Sequence, residues 1–254
     1  MKVIFNCFNS HMGGGITVAT SVIEAYLSNP ISSNSKIVIV CSSASFNYFE
    51  HYSAYRNVYV FIPYFCKYRL LFQAFLHDYL ILPRYLSSVG SCLLFNFSDI
   101  PVITSVPQYF YFDWPFATCS WRDLFIFSQS QPYLLFYRTI KRLLFSFSMH
   151  MASKNTAIIA QLNYQKSLLQ KRYKPSSPIY VFPNPGKTSS KEISHKPDVF
   201  SKFNAKPHFI LCLSAYYSHK NLDILVDVAR KCTSADQFIF LTTFDPEISG
   251  QASR

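Results

Sequence analysis

Three short stretches of the chain combine residue types and spacings that could do chemistry. Gly13-Gly14-Gly15 stands after an apolar run and opens a helical pattern. At such a place the backbone N–H groups of a helix start can cradle an anion with no side chain in the way. The triplet is neither the GxGxxG dinucleotide fingerprint nor a Walker loop, which ends in Lys and Ser or Thr. A plain strand-to-helix turn, with glycine supplying positive φ, is the other reading. Further on, Ser214-Ala215-Tyr216-Tyr217-Ser218-His219-Lys220-Asn221 joins a strand pattern to a helix pattern. A lysine at a helix N-terminus opposes the helix dipole unless an anion is bound there too. Lys220, flanked by Ser214 and Asn221, is therefore either a phosphate contact or an exposed lysine. Between the two lies Pro107-Gln108-Tyr109-Phe110-Tyr111-Phe112-Asp113-Trp114-Pro115. Its flat rings suit a binding wall for a sugar or a base, with Gln108 and Asp113 as polar contacts. Core packing is the expectation for the individual rings. Asp113 is harder to explain that way, being the only acid between Asp99 and Asp123.

Other chemistries find little in the sequence. The seven cysteines show no CxxC spacing and the seven histidines no HxxxH or HExxH spacing, so no metal site is expected. Scattered through apolar runs, the cysteines read as reduced core thiols of a cytosolic protein. A net charge of +11 favours anionic partners: nucleic acid, acidic headgroups or phosphorylated small molecules. The basic segment around Lys187, Lys191, Lys196, Lys202 and Lys206 lacks the Gly and aromatic interleaving of an RNA-binding sheet and any zinc or helix-turn-helix spacing. It reads as a solvated face, and no nucleic-acid partner is expected. Two stretches suit an anionic membrane surface, the one from Lys67 to Arg84 and the helix 136–149 with Arg138, Lys141 and Arg142. An ordinary amphipathic helix is the alternative for both. Charged residues interrupt every apolar run before the roughly 18 residues that a membrane span requires.

The elements that must position these residues follow from periodicity. With 50% hydrophobic letters in 254 residues, the chain can bury a sizeable core, and disorder is excluded as its overall state. Strand-like runs at 3–8, 36–41, 57–62, 91–97, 102–106, 156–160 and 179–182 alternate with helical patterns at 16–27, 65–86, 131–152 and 163–173. That alternation predicts an α/β fold, a doubly wound domain over residues 1–183. Residues 184–207, opening with Pro185-Gly186 and rich in Lys, Ser and Pro, read as a linker. A second βαβ unit is expected over 208–254, with strands at 209–213 and 237–242 around a helix at 221–232. One such unit cannot cover both faces of its sheet, so the second domain is expected to be truncated.

Four blocks in order carry a family likeness: the first strand with Gly13-Gly14-Gly15; Ala157-Ile158-Ile159-Ala160-Gln161 with the Lys166 helix; Val181-Phe182-Pro183-Asn184-Pro185-Gly186; and Ile210-Leu211-Cys212-Leu213-Ser214 followed by His219-Lys220-Asn221. With them the chain resembles the retaining GT-B glycosyltransferases that build bacterial surface polysaccharides. The resemblance implies two Rossmann-like domains, the first taking the acceptor and the second a nucleotide sugar, with no metal. It places Gly13, Gly14 and Gly15 near the acceptor or donor phosphate. Lys220 falls on the diphosphate with Ser214 and Asn221, and Asn184 at the passage between domains. Lys220 and Asp113 become the catalytic candidates, and Gln108 an acceptor contact. The implied reaction transfers a sugar from a nucleotide donor to a lipid-linked glycan at the cytoplasmic membrane face. The sequence departs from the family pattern where Ala215 replaces an arginine and Pro185 interrupts an Asn-Gly turn. In the acceptor cleft Gln108 and Asp113 are nearest to the family's histidine. The family's paired glutamates are expected to fall beyond residue 254, and little transferase activity is expected of these 254 residues by themselves. A non-catalytic anion- or membrane-binding descendant of such an enzyme is the alternative.

Overall fold

The computed structural model describes residues 1–10, 14–62, 70–126, 128, 132–151, 155–183, 208–212, 224–231 and 238–242. The chain divides into two units, Met1–Gly186 and Lys187–Arg254. The first runs β1 (Lys2–Asn6), α1 (Gly14–Leu27), β2 (Lys36–Val40), α2 (Phe46–Phe49), β3 (Val58–Phe61), α3 (Leu70–Leu76), α4 (Leu82–Val89), β4 (Cys92–Asn96), β5 (Gln108–Phe112), α5 (Trp121–Ile126), α6 (Pro132–Met151), β6 (Thr156–Ala160), α7 (Asn163–Tyr173) and β7 (Ile179–Val181). In the second unit β8 (His208–Cys212) and β9 (Phe238–Thr242) pair in parallel, with α8 (Ile224–Lys231) between them in the chain.

The seven strands of the first unit form one sheet in the order β3-β2-β1-β4-β5-β6-β7, and every pair is parallel. This is a Rossmann-like α/β fold. From β1 the chain winds outward through β2 and β3, then returns to place β4 on β1's other side and winds outward again. The winding therefore reverses between β1 and β4, and in sheets of this kind the crevice beyond the carboxyl ends at that reversal is where ligands bind.

Parallel strands covered on both faces must be apolar on both sides, which is why β1 reads KVIFN. Val3 and Phe5 pack with Ala19 and Ile23 of α1, and Ile4 packs on the other face with Leu82 and Leu86 of α4. Over β5 and β6 the core turns aromatic: Phe110, Phe112 and Trp114 gather around Phe145 of α6. The side chains of Cys7, Cys41 and Cys92 are buried and that of Cys119 is half-buried.

Two elements differ from the sequence expectation. Residues 102–106 form no strand, and the strand in that part of the sheet is β5, drawn from the aromatic segment read as a binding wall. Tyr and Phe fit a pleated, buried surface well. Val102 is held instead by the Gln108 side chain, whose Nε2 donates to its carbonyl (2.6 Å) and whose Oε1 accepts from its N–H (3.2 Å). The helix expected over 65–86 is, from Leu70 on, α3 and α4 joined by a π-helical turn, His77–Ile81. Pro83 has no N–H to donate to Tyr79 four residues back, and its ring crowds that carbonyl, so the wider turn takes up the mismatch. Gly90 then turns the chain into β4 with φ of 77°, a value that favours glycine.

Candidate functional site

The strands β1 and β4 end in the same way, each with an apolar run closed by asparagine. Their register pairs Asn6 with Asn96 at the carboxyl edge, on the line where the winding reverses. Alternation puts Asn6 on the face of Ile4, toward α3 and α4. The π turn on that face carries His77 and Asp78, both buried. Four polar side chains are thereby enclosed together, and burial on this scale requires that they satisfy one another.

Asn6 is the hub. Its Nδ2 donates to Asn96 Oδ1 (2.9 Å) and to Asp78 Oδ1 (3.3 Å), and its Oδ1 faces His77 Nε2 at 3.0 Å and accepts from the Phe8 N–H at 3.4 Å. On the other side of the carboxyl, Asp78 Oδ2 accepts from Asn9 Nδ2 (3.3 Å) and from the Ser98 hydroxyl. Asn9 also donates to Ser98 Oγ (2.7 Å), and Asn96 donates to the Ile100 carbonyl (3.0 Å). The His77 ring stacks on Phe8 with centroids 4.1 Å apart. Because Asn6 Oδ1 can only accept, Nε2 is the protonated ring nitrogen. His77 Nδ1 then carries a lone pair, and it has no hydrogen-bond partner. The hydroxyl of Ser10 is likewise buried without one.

Burial sets the electrostatics. It raises the Asp78 carboxyl to about 7, outweighing the opposite pull of the bonds from Ser98 and Asn6. It lowers His77 to about 3, so the imidazole stays neutral near neutral pH beside a carboxyl 3.9 Å away that is close to half-protonated. A carboxyl that titrates near neutrality can give or take a proton. Just beyond, Asp99 pairs with Lys141 of α6, which also lies over the Trp114 ring at 4.6 Å. Burial alone would lower the Lys141 ammonium, but Asp99 and Tyr137 together hold it above its usual value.

Gly14 and Gly15 open α1 at this same edge. Neither has positive φ, and a Cβ at Gly14 would meet nothing within 4 Å. Backbone strain therefore does not explain these two glycines. A Cβ at Gly15 would come 4.0 Å from the Ser10 Cα, so Ser10 lies against the first turn of α1. Gly13 lies outside the described residues, as do Asn184, Ser214, Lys220 and Asn221.

Gln108 and Asp113 stand at opposite ends of β5. Gln108 is at the amino end, buried, and bonded to Val102 and to Thr156 Oγ1 (2.9 Å). Its side chain is a fastening inside the fold, on the far side of the sheet from the carboxyl edge. Asp113 does stand at that edge, exposed, where it accepts from Gln161 Nε2 at 2.6 Å beyond β6. The basic helix is also arranged differently from the expectation. Arg138 and Arg142 face inward over Phe116 and Trp121, with the guanidinium carbons 4.0 and 4.2 Å from the ring centroids.

The residues that sequence reasoning missed are Asn6, His77, Asp78 and Asn96. Their signal was present as interruption: a His-Asp pair inside the run LLFQAFLHDYLIL, and a lone asparagine closing each of two apolar strands. Among the described residues no group of three His, Cys, Asp or Glu side chains is placed to hold a metal ion. No helix among them is long and apolar enough to cross a membrane. No protein-family model matches the sequence, and no significant match is found among curated proteins.

Proposed function

We propose that this chain is a glycosyltransferase of the GT-B type, in which the first unit takes a lipid-linked glycan diphosphate and residues 187–254 belong to the side that takes the nucleotide sugar. The observation that carries the reading is the meeting, at the reversal between β1 and β4, of a glycine-opened helix start, the buried Ser10 hydroxyl against its first turn, and a buried polar cluster that contains His77, both Ser10 Oγ and His77 Nδ1 lacking a hydrogen-bond partner. The amides of α1 would receive a phosphate. The Asp78 cluster would fix the loop that carries Asn9 and Ser10 beneath it. Asp113 remains the acceptor-side acid of this proposal, and Lys220 with Ser214, Asn221 and Asn184 its donor-side set. The working place is the cytoplasmic membrane face, where such acceptors reside.

The test is titration of a short-chain polyprenyl diphosphate sugar into the chain, alongside Gly14→Asp and Gly15→Asp. A carboxylate in the first turn favours the helix by a few tenths of a kcal/mol up to about 1 kcal/mol and repels a phosphate at the same spot. Saturable binding, weakened tenfold or more in both variants with an unchanged or higher melting temperature, is the expected outcome. Binding unaffected by either carboxylate overturns the role of α1. Failure to bind any diphosphate sugar, lipid-linked or nucleotide-linked, overturns the transferase reading.

A further inference from the structure

The longest helix of the first unit, α6, carries a second apolar face besides the one with Phe145 and Met149 that it buries in the core. Along α6 the cations Arg138 and Arg142 point into the protein, while Tyr133, Phe136, Ile140, Leu143, Phe147 and Met151 are between 40% and 70% exposed. The first five follow one another at intervals of three, four, three and four residues. That spacing is the narrow a/d seam by which one helix packs along another, not the broad stripe of a helix facing a core. No Asp, Glu, Lys or Arg is among the exposed residues of α6. A helix lying on a membrane would present lysine or arginine beside its apolar face, and on α6 those residues are turned away from it.

We infer that this seam is the interface of a homodimer, with α6 packed on α6 of a second copy across a twofold axis. Large side chains at this exposure each present roughly 100 Å², so the six together offer on the order of 600 Å². That stands at the upper end of the roughly 300–600 Å² of the largest apolar patch on a typical monomer. Two such faces together bury about 1,200 Å², the lower end of the range of a specific, stable interface. A self-complementary apolar seam without charge is what a twofold pairing requires, because every residue meets its own kind or a near neighbour.

The experiment is sedimentation equilibrium of the full chain at micromolar concentration, compared with the double variant Phe136→Glu, Leu143→Glu and with Phe61→Glu on β3 as a control for general surface polarity. The wild type and the control are expected at twice the monomer mass. The double variant is expected at the monomer mass with its melting temperature held, since both positions are exposed. A monomeric wild type overturns the inference. If that monomer floats with phosphatidylglycerol vesicles and the double variant does not, the seam belongs to a membrane. This result is independent of ligand binding at the sheet edge, so either proposal can fail alone.

Discussion

Two carboxylates stand at the carboxyl edge of the same sheet and live under opposite conditions. Asp78, over the β1–β4 boundary, is buried, accepts from three side chains and titrates near 7. Asp113, beyond β5, is exposed and accepts from the side-chain amide of Gln161. The difference follows from topology. Where the winding reverses, the π turn between α3 and α4 lays polar groups directly over the strand ends; past β5 the chain turns Asp113 to solvent and buries Trp114 after it. A buried network fixes geometry at high cost if broken, whereas the bonds of an exposed acid exchange with water at little cost. Fixed geometry belongs to the floor of a site, and exchangeable contacts to its rim.

The largest effect that separates the two is stability. Asp78→Ala leaves the buried donors of Asn6 and Ser98, and the half-buried one of Asn9, without this acceptor and is expected to cost about 3 kcal/mol, a fall in melting temperature of about 6–12 °C at this size. Gln108→Leu, equally buried but far from the edge, removes the fastening of Val102 and Thr156 and is expected to cost about 2 kcal/mol, while leaving diphosphate binding untouched. If Gln108→Leu weakens binding without affecting the fold, its assignment as a structural residue is wrong.

The pH dependence sharpens the comparison further. A carboxyl raised in the fold is protonated there while the unfolded chain has lost its proton, so Asp78 contributes stability that falls between about pH 4 and pH 7. His77, lowered to about 3, contributes stability that is present above about 6.5 and lost as pH falls below it. The two slopes oppose each other over roughly pH 4 to 6.5. Melting of the wild type is therefore expected to vary little across that window. His77→Phe, which keeps the stack on Phe8, should become less stable as pH rises, and Asp78→Asn more stable. Parallel slopes in the two variants would contradict the assignment of the titrating groups. The smallest expected change is that of Asp113→Asn, within about 0.5 kcal/mol of the wild type, with any effect confined to ligand affinity.

Much of the frame was legible. Alternating apolar runs and helical patterns announce a parallel sheet, and the runs expected at 3–8 and 156–160 fall on β1 and β6. The strand at 102–106 misled because Val and Ile have high strand propensity there, while the side chain that satisfies Val102 comes from Gln108, a contact that no periodicity reports. The Asp78 cluster was unreadable as a site for a related reason. Asn6 and Asn96 are ninety residues apart in sequence, and only the parallel register makes them neighbours. His77 and Asp78 looked like mere interruptions of an apolar helix, because the π turn that seats them depends on Pro83 several residues later. The glycine triplet drew attention as a helix opening, and the open space at Gly14 is the feature that the letters alone do not carry.

The central claim is that ligand sits over the β1–β4 boundary. A diphosphate sugar carrying a photoreactive diazirine on its first isoprene, cross-linked to the intact chain and mapped by mass spectrometry, tests it directly. The account predicts label on peptides carrying Asn9, Ser10 and Gly14, competed by unlabelled ligand and lost in Gly14→Asp. Competable label confined to the peptides of Asp113 and Gln161 would contradict it and move the site to the β5–β6 edge.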